Sequence, residues 1–129
     1  MATSYHHALS SARRFGGRPE DYQPIHDWFD ATKATLGDFR HRALRHHTLG
    51  IFDAERIFGT TVSNSDGRTV PVRLIGEQHV IEDCGYLPTP QDWLTHLAPQ
   101  PWMNSPRKLS RELQHDDDTH ATTDSTHRA

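Results

Sequence analysis

Only one cysteine, Cys84, occurs in the 129 residues, so the chain can build no disulfide framework within itself. A lone thiol fits a reducing compartment, and a cytoplasmic location is expected. No apolar run approaches the ~20 residues that a membrane helix needs, so no membrane partner is expected. The stretch from Met1 to Gly17 lacks a basic start followed by an apolar run, and no secretory signal is expected. An excess of positive charge is missing as well. Net charge is −3 with the histidines neutral, which argues against broad attraction to nucleic acid. Hydrophobic residues make up 33% of the chain, enough for one domain with a modest core. The phosphate-loop and dinucleotide glycine patterns, CxxC, GxSxG, HExxH and the EF-hand loop are all absent.

Histidine is what the chain has in abundance: eleven, beside 17 acidic residues. Three of them, His41, His46 and His47, fall in Asp38 to Gly59, the longest helical pattern. Phe39, Ala43, Ile51, Ala54 and Phe58, with Leu36 upstream, follow one helix face, and His47 fills the gap in that stripe. The spacing therefore predicts one continuous helix with Asp38 as N-cap, His47 turned inward and Gly59 as the stop. Gly50 inside it points to close approach by other backbone.

The remaining elements follow from caps and periodicity. Ser4 is placed to cap a helix that runs to Phe15 and ends at Gly16-Gly17, with only one of His6 and His7 able to face inward. Pro19 and Pro24 open helical turns that continue through Leu36, with Ile25, Phe29 and Leu36 on one side. After Gly59 the period changes to two. Thr60–Val62 and Arg68–Val72 flank Asn64-Ser65-Asp66-Gly67 as a β-hairpin, and Pro71 confines its strand to an edge or a bulge. Leu74 to Cys84 reads as a helix closed by Gly85, and Thr89-Pro90-Gln91-Asp92 as a capped helix start. Trp93, Leu94 and Leu97 are expected inward. Pro101-Trp102-Met103 is expected to fold back.

The fold class expected is mostly α (α+β): a compact bundle of four to five helices with one small β-hairpin at about residues 60–73. One domain is expected over residues 1–103. From Asn104 onward apolar residues nearly vanish, and residues 104–129 are expected to form a flexible polar tail. Phe39, Ile51, Phe58, Trp93 and Leu97 are the expected core.

Two pairs of a histidine and an acid stand four residues apart, His26 with Asp30 and His79 with Asp83. On a helix each pair shares a face. Helices that pack together can build a metal site from such facing side chains. Neutral imidazole and carboxylate suit a divalent zinc, iron or manganese ion. The expected ligands are His26, Asp30, His47, His79 and Asp83. His41, His46, Glu77 and Glu82 are alternative ligands or supports around them.

Two resemblances add to this reading. Arg45 to Ile51, RHHTLGI, is similar to the first-histidine helix of the HD-type metal phosphohydrolases, R-x-H-x-x-G-V. At the comparable place downstream, where that family carries a His-Asp dipeptide, this chain has Glu82-Asp83, and the His26-Asp27 dipeptide lies upstream. More broadly, HHALSSARRFGG, HDWFD, FRHRALRHHTLGIFDAERIFG, VPVRLIGEQHVIEDCG, PTPQDWL and PWM resemble a small family of uncharacterised bacterial and phage-encoded proteins. That resemblance covers His6 to Met103 and implies a prokaryotic or mobile-element setting without assigning an activity.

Two functions are compatible with these features. One is a small metal-binding protein, extending to a metal-dependent hydrolase of phosphoesters or nucleic acid. The other is a non-enzymatic interaction module that binds and modulates a host protein.

Overall fold

The computed structural model describes residues 3–104. The chain divides into two compact units, Met1–His96 and Leu97–Ala129. Among the described residues the first unit holds six α-helices and one two-stranded antiparallel hairpin, so the fold is mostly α with a small β element. The described part of the second unit carries one 3-10 turn, Pro101–Asn104. The tail expected from Asn104 onward lies, beyond that residue, outside the described residues.

Helix α1 spans Ser4–Phe15. Its cap is Thr3, one residue before the expected Ser4: Thr3 is extended and its hydroxyl accepts from the His6 N–H. Gly16, at φ 89°, ends the helix in the left-handed region that a side chain would oppose. Helix α2, Gln23–Asp30, starts with Pro24 in its first turn and passes into a 3-10 turn at Ala31–Ala34. Strands β1, Thr61–Ser63, and β2, Thr69–Pro71, pair with Val62 opposite Val70. Helix α5, Val72–Cys84, follows β2 without a loop, and α6, Pro90–Leu94, begins with the reciprocal Thr89/Asp92 cap read from the sequence.

The expected continuous helix from Asp38 to Gly59 is broken in the structure. Asp38 caps a 3-10 turn at Phe39–His41, which leads into the four-residue helix α3, Arg42–Arg45. His46 and His47 then leave helical geometry, and α4 runs from Thr48 to Phe58, stopped by Gly59 as expected. Tertiary bonds take up the backbone groups freed at the break. The Thr48 N–H donates to the Pro88 carbonyl, and the Trp93 indole N–H donates to the His46 carbonyl. His47 becomes the N-cap of α4, its Nδ1 accepting from the Gly50 N–H. Gly50 marks the close approach: a Cβ there would lie 1.9 Å from the Arg45 carbonyl oxygen.

The core forms where α2, α4 and α5 meet under the hairpin, and contains Tyr22, Ile25, Phe29, Ile51, Ala54, Val70, Val72, Ile75 and Val80. Burying a side chain such as Phe29 contributes about 1.5–3 kcal/mol. Of the residues expected there, Ile51 is buried, and Phe58 and Trp93 are half-buried. Phe39 and Leu97 are corrections, at 60% and 54% exposed. Leu94 is also exposed. Phe39 turns outward because its segment is a 3-10 turn, which rotates about 120° per residue where an α-helix rotates about 100°.

Candidate metal centre

Three helices each present a polar pair at i, i+4 toward a common point: His7 and Ser11 on α1, His26 and Asp30 on α2, His79 and Asp83 on α5. His46 enters from the break between α3 and α4. Six histidines are buried among the described residues: His7, His26, His41, His46, His47 and His79. Burying so many imidazoles in a small domain requires partners for their nitrogens, and most of those partners are each other and a few carboxylates.

One ligand atom each from Asp30, His46, His79 and Asp83 gathers within 4.8 Å of the other three. Asp83 Oδ2 lies 3.0 Å from His46 Nε2 and 3.3 Å from His79 Nε2. Asp30 Oδ1 lies 3.2 Å from His79 Nε2 and 3.8 Å from His46 Nε2. The side chains of both histidines are fully buried, and those of Asp30 and Asp83 are 10% and 4% exposed. Phe29 forms the floor, stacking on His79 at 5.0 Å between ring centroids and meeting His46 edge-on. A buried His/Asp cluster within ligand distance can hold a metal ion.

A second layer holds these four. His7 points both nitrogens at acids, Nδ1 at Glu82 Oε1 (2.7 Å) and Nε2 at Asp83 Oδ1 (3.1 Å). Burial pulls the His7 pKa down, but the bonds to Asp83 and Glu82 outweigh it and the net shift is upward. Burial pushes Asp83 up, but bonds from His46, His7 and His79 outweigh it, and its carboxyl stays ionised well below the usual range. For Asp30 burial is again outweighed, chiefly by the His79 bond, and the net shift is downward. Burial, despite the Asp83 bond, brings His46 down to about 4. Burial, with His79 and His7 nearby, brings His26 down to about 2. Both imidazoles are therefore neutral at pH 7, the form that binds metal. Arg42 donates from Nη1 to the Asp83 carbonyl, and its guanidinium lies 3.8 Å from Asp83 Oδ1.

The residues expected from the sequence distribute as follows. Asp30, His79 and Asp83 converge, and His46, an alternative in the sequence reading, is the fourth donor. His47 is turned away: its Nε2 donates to the Ala43 carbonyl while its Nδ1 caps α4, so neither nitrogen is left for an ion. His26 lies against the cluster, with Nδ1 2.9 Å from His79 Nδ1 and Nε2 on Ser11. It supports His79 from behind. His41 packs edge-on against His46, with Nδ1 on Thr32. Glu82 holds His7, and Glu77 pairs with the exposed Arg73 at 3.0 Å, outside the cluster. His7, Ser11, Gln78 and Arg42 were not singled out from the sequence. The i, i+4 spacing of His7 and Ser11 was the one signal available for the first two.

A family model described as a domain of unknown function (DUF6915) matches residues 2–103. The chain belongs to this family of uncharacterised domains. The matched span runs across every donor and supporting residue of the cluster. Neither a curated protein nor a solved structure matches the chain. No helix among the described residues is long and apolar enough to cross a membrane.

Proposed function

We propose that this DUF6915 domain is a small metal-binding protein that holds one divalent cation between Asp30, His46, His79 and Asp83, with zinc as the best-fitting ion. The observation that carries the reading is the spacing of the donors. Four of the six distances between donor atoms run from 3.0 to 3.8 Å. A tetrahedron with metal–donor bonds of about 2.0–2.1 Å has edges of about 3.3 Å. The two carboxylates, Asp30 and Asp83, also bring the two negative charges that a divalent ion neutralises. The nitrogen and oxygen set without thiolate is equally acceptable to iron(II) or manganese.

Four protein donors complete the coordination of zinc, as in structural sites, whereas catalytic zinc sites keep a position open. The ion would then tie α2, the α3–α4 junction and α5 together. Hydrolysis of phosphoesters or nucleic acid would need an ion that takes five or six ligands, with water in the added positions.

Elemental analysis of purified protein after dialysis against zinc tests the proposal. About one zinc per chain is expected for wild type and His47→Ala, and close to none for His79→Ala or Asp83→Asn. Full-length protein that binds no ion, or binds it equally in all four, would overturn the reading. The interaction module, a domain that engages a host protein, would then take its place.

A further inference from the structure

We propose that Ser11, Gln78 and His26 form a hydrogen-bond relay that fixes the ring of His79 with its proton on Nδ1, presenting the Nε2 lone pair to the cation. The proposal rests on the metal reading above: with a cation on Nε2, the direction of every other bond follows from the donors and acceptors present.

The chain starts at Gln78, which is buried. Its Nε2 donates to the His7 carbonyl at 3.0 Å and lies 3.4 Å from Glu82 Oε1. Both neighbours are acceptors only. They orient the amide, so that Oε1 faces Ser11 Oγ at 3.0 Å. An amide oxygen can only accept, so Ser11 spends its single hydroxyl proton there. Ser11 Oγ also lies 2.8 Å from His26 Nε2. With its proton already engaged, the hydroxyl accepts, and His26 carries the Nε2–H. With a cation on His79 Nε2, the opposite order would leave the Gln78 oxygen without a donor from Ser11 and set two N–H groups, His26 Nδ1 and His79 Nδ1, against each other.

A neutral His26 protonated at Nε2 has a bare Nδ1. That atom lies 2.9 Å from His79 Nδ1, which must therefore donate. When a cation takes the place of the Nε2 proton that bonds the acids, the His79 proton lies on Nδ1, on their far side, and the Nε2 lone pair lies 3.2 Å from Asp30 Oδ1 and 3.3 Å from Asp83 Oδ2. A divalent ion bound there meets one nitrogen and two carboxylate oxygens at once. Ligating histidines in metal sites are held by a bond at the other ring nitrogen. Here that bond comes from a second histidine, whose own tautomer is set two residues further back. Ser11, Gln78 and His26 are positioning residues, since they act only through His79.

Long-range proton–nitrogen NMR correlation on 15N-labelled protein reads which nitrogen of each ring carries the proton. Wild type with one equivalent of zinc is expected to show His26 protonated at Nε2 and His79 protonated at Nδ1. Gln78→Leu frees the Ser11 proton, and is expected to move the His26 proton to Nδ1 and raise the zinc dissociation constant about 10–100-fold. Ser11→Ala is expected to weaken zinc to a similar degree, with Ser11→Thr, which keeps the hydroxyl, recovering most of it. A merely structural role for Gln78 would lower stability without moving the His26 proton. Zinc bound by a wild-type protein whose His26 is protonated at Nδ1 would overturn the relay alone. Zinc affinity within about twofold of wild type in both Gln78→Leu and Ser11→Ala would overturn it as well. A wild type that binds no zinc would overturn the metal reading and the relay with it.

Discussion

The indole N–H of Trp93 donates to the backbone carbonyl of His46 at 2.9 Å. This bond links α6, late in the matched domain, to the break between α3 and α4, where the chain leaves helical geometry and aims His46 at the acids. Trp93→Phe keeps most of the packing and removes the donor. It should cost about 1 kcal/mol of stability and weaken zinc binding less than His46→Ala does. Denaturant titration and calorimetric zinc titration of the two variants check this. A Trp93→Phe protein indistinguishable from wild type in both would show that the break holds without α6.

His46 and His47 are neighbours with different work, and substitution should separate them. His46→Ala removes a donor and is expected to abolish stoichiometric zinc. His47→Ala removes the cap of α4 and should cost about 1 kcal/mol, with zinc retained. Zinc lost from His47→Ala and kept by His46→Ala would reverse the assignment.

Gly50 and Gly37 form a matched pair of tests. A Cβ at Gly50 would sit 1.9 Å from the Arg45 carbonyl oxygen, while one at Gly37 would meet nothing within 4 Å. Gly50→Ala should therefore destabilise by about 3 kcal/mol or more, since backbone must move. Gly37→Ala should stay within about 0.5 kcal/mol of wild type. Equal effects in thermal melts would mean that the α3–α4 junction does not pack as described.

Asp21 gives a pH-dependent term remote from the metal donors. Its carboxylate accepts from the backbone N–H groups of Arg18 and Ser65 and from the Ser65 hydroxyl, tying the turn after α1 to the hairpin. The Arg18 and Ser65 backbone bonds hold its carboxyl below the ordinary value of 3.8. A depressed folded pKa adds stability that is present above the unfolded value and disappears as pH falls through the folded one. The stability gap between wild type and Asp21→Asn should be full above about pH 5 and should narrow below about pH 4. Denaturation midpoints across that range test it, and a gap that widens on acidification would contradict the sign.

Much of this arrangement was legible from local chemistry. Thr89-Pro90-Gln91-Asp92 carries its own cap, Gly59 and Gly85 stop their helices, and the i, i+4 pairs of α2 and α5 put Asp30, His79 and Asp83 in view. The choice between His46 and His47 was not legible. Helical periodicity favours His47, and what overrides it is tertiary: the Pro88 carbonyl and the Trp93 indole, some forty residues away in sequence, satisfy the backbone at the break. The eight-residue step from Ala43 to Ile51 and the glycine at position 50 were the only local traces of it. The HD-type likeness of Arg45 to Ile51 falls across this same break, so the stretch is not one helix and its second histidine is a cap. His7 was read only as a candidate to face inward, with no role assigned, because its carboxylate partners, Glu82 and Asp83, lie on α5 at the far end of the domain sequence.

X-ray absorption at the zinc edge of the zinc-loaded protein tests the central claim most directly. The account predicts four nitrogen and oxygen neighbours at about 2.0–2.1 Å, with outer-shell scattering from two imidazole rings and no sulfur. Removal of one ring from that signal is expected in His46→Ala if any zinc remains. A spectrum with no imidazole contribution, or with a thiolate at about 2.3 Å, would contradict a site built from Asp30, His46, His79 and Asp83.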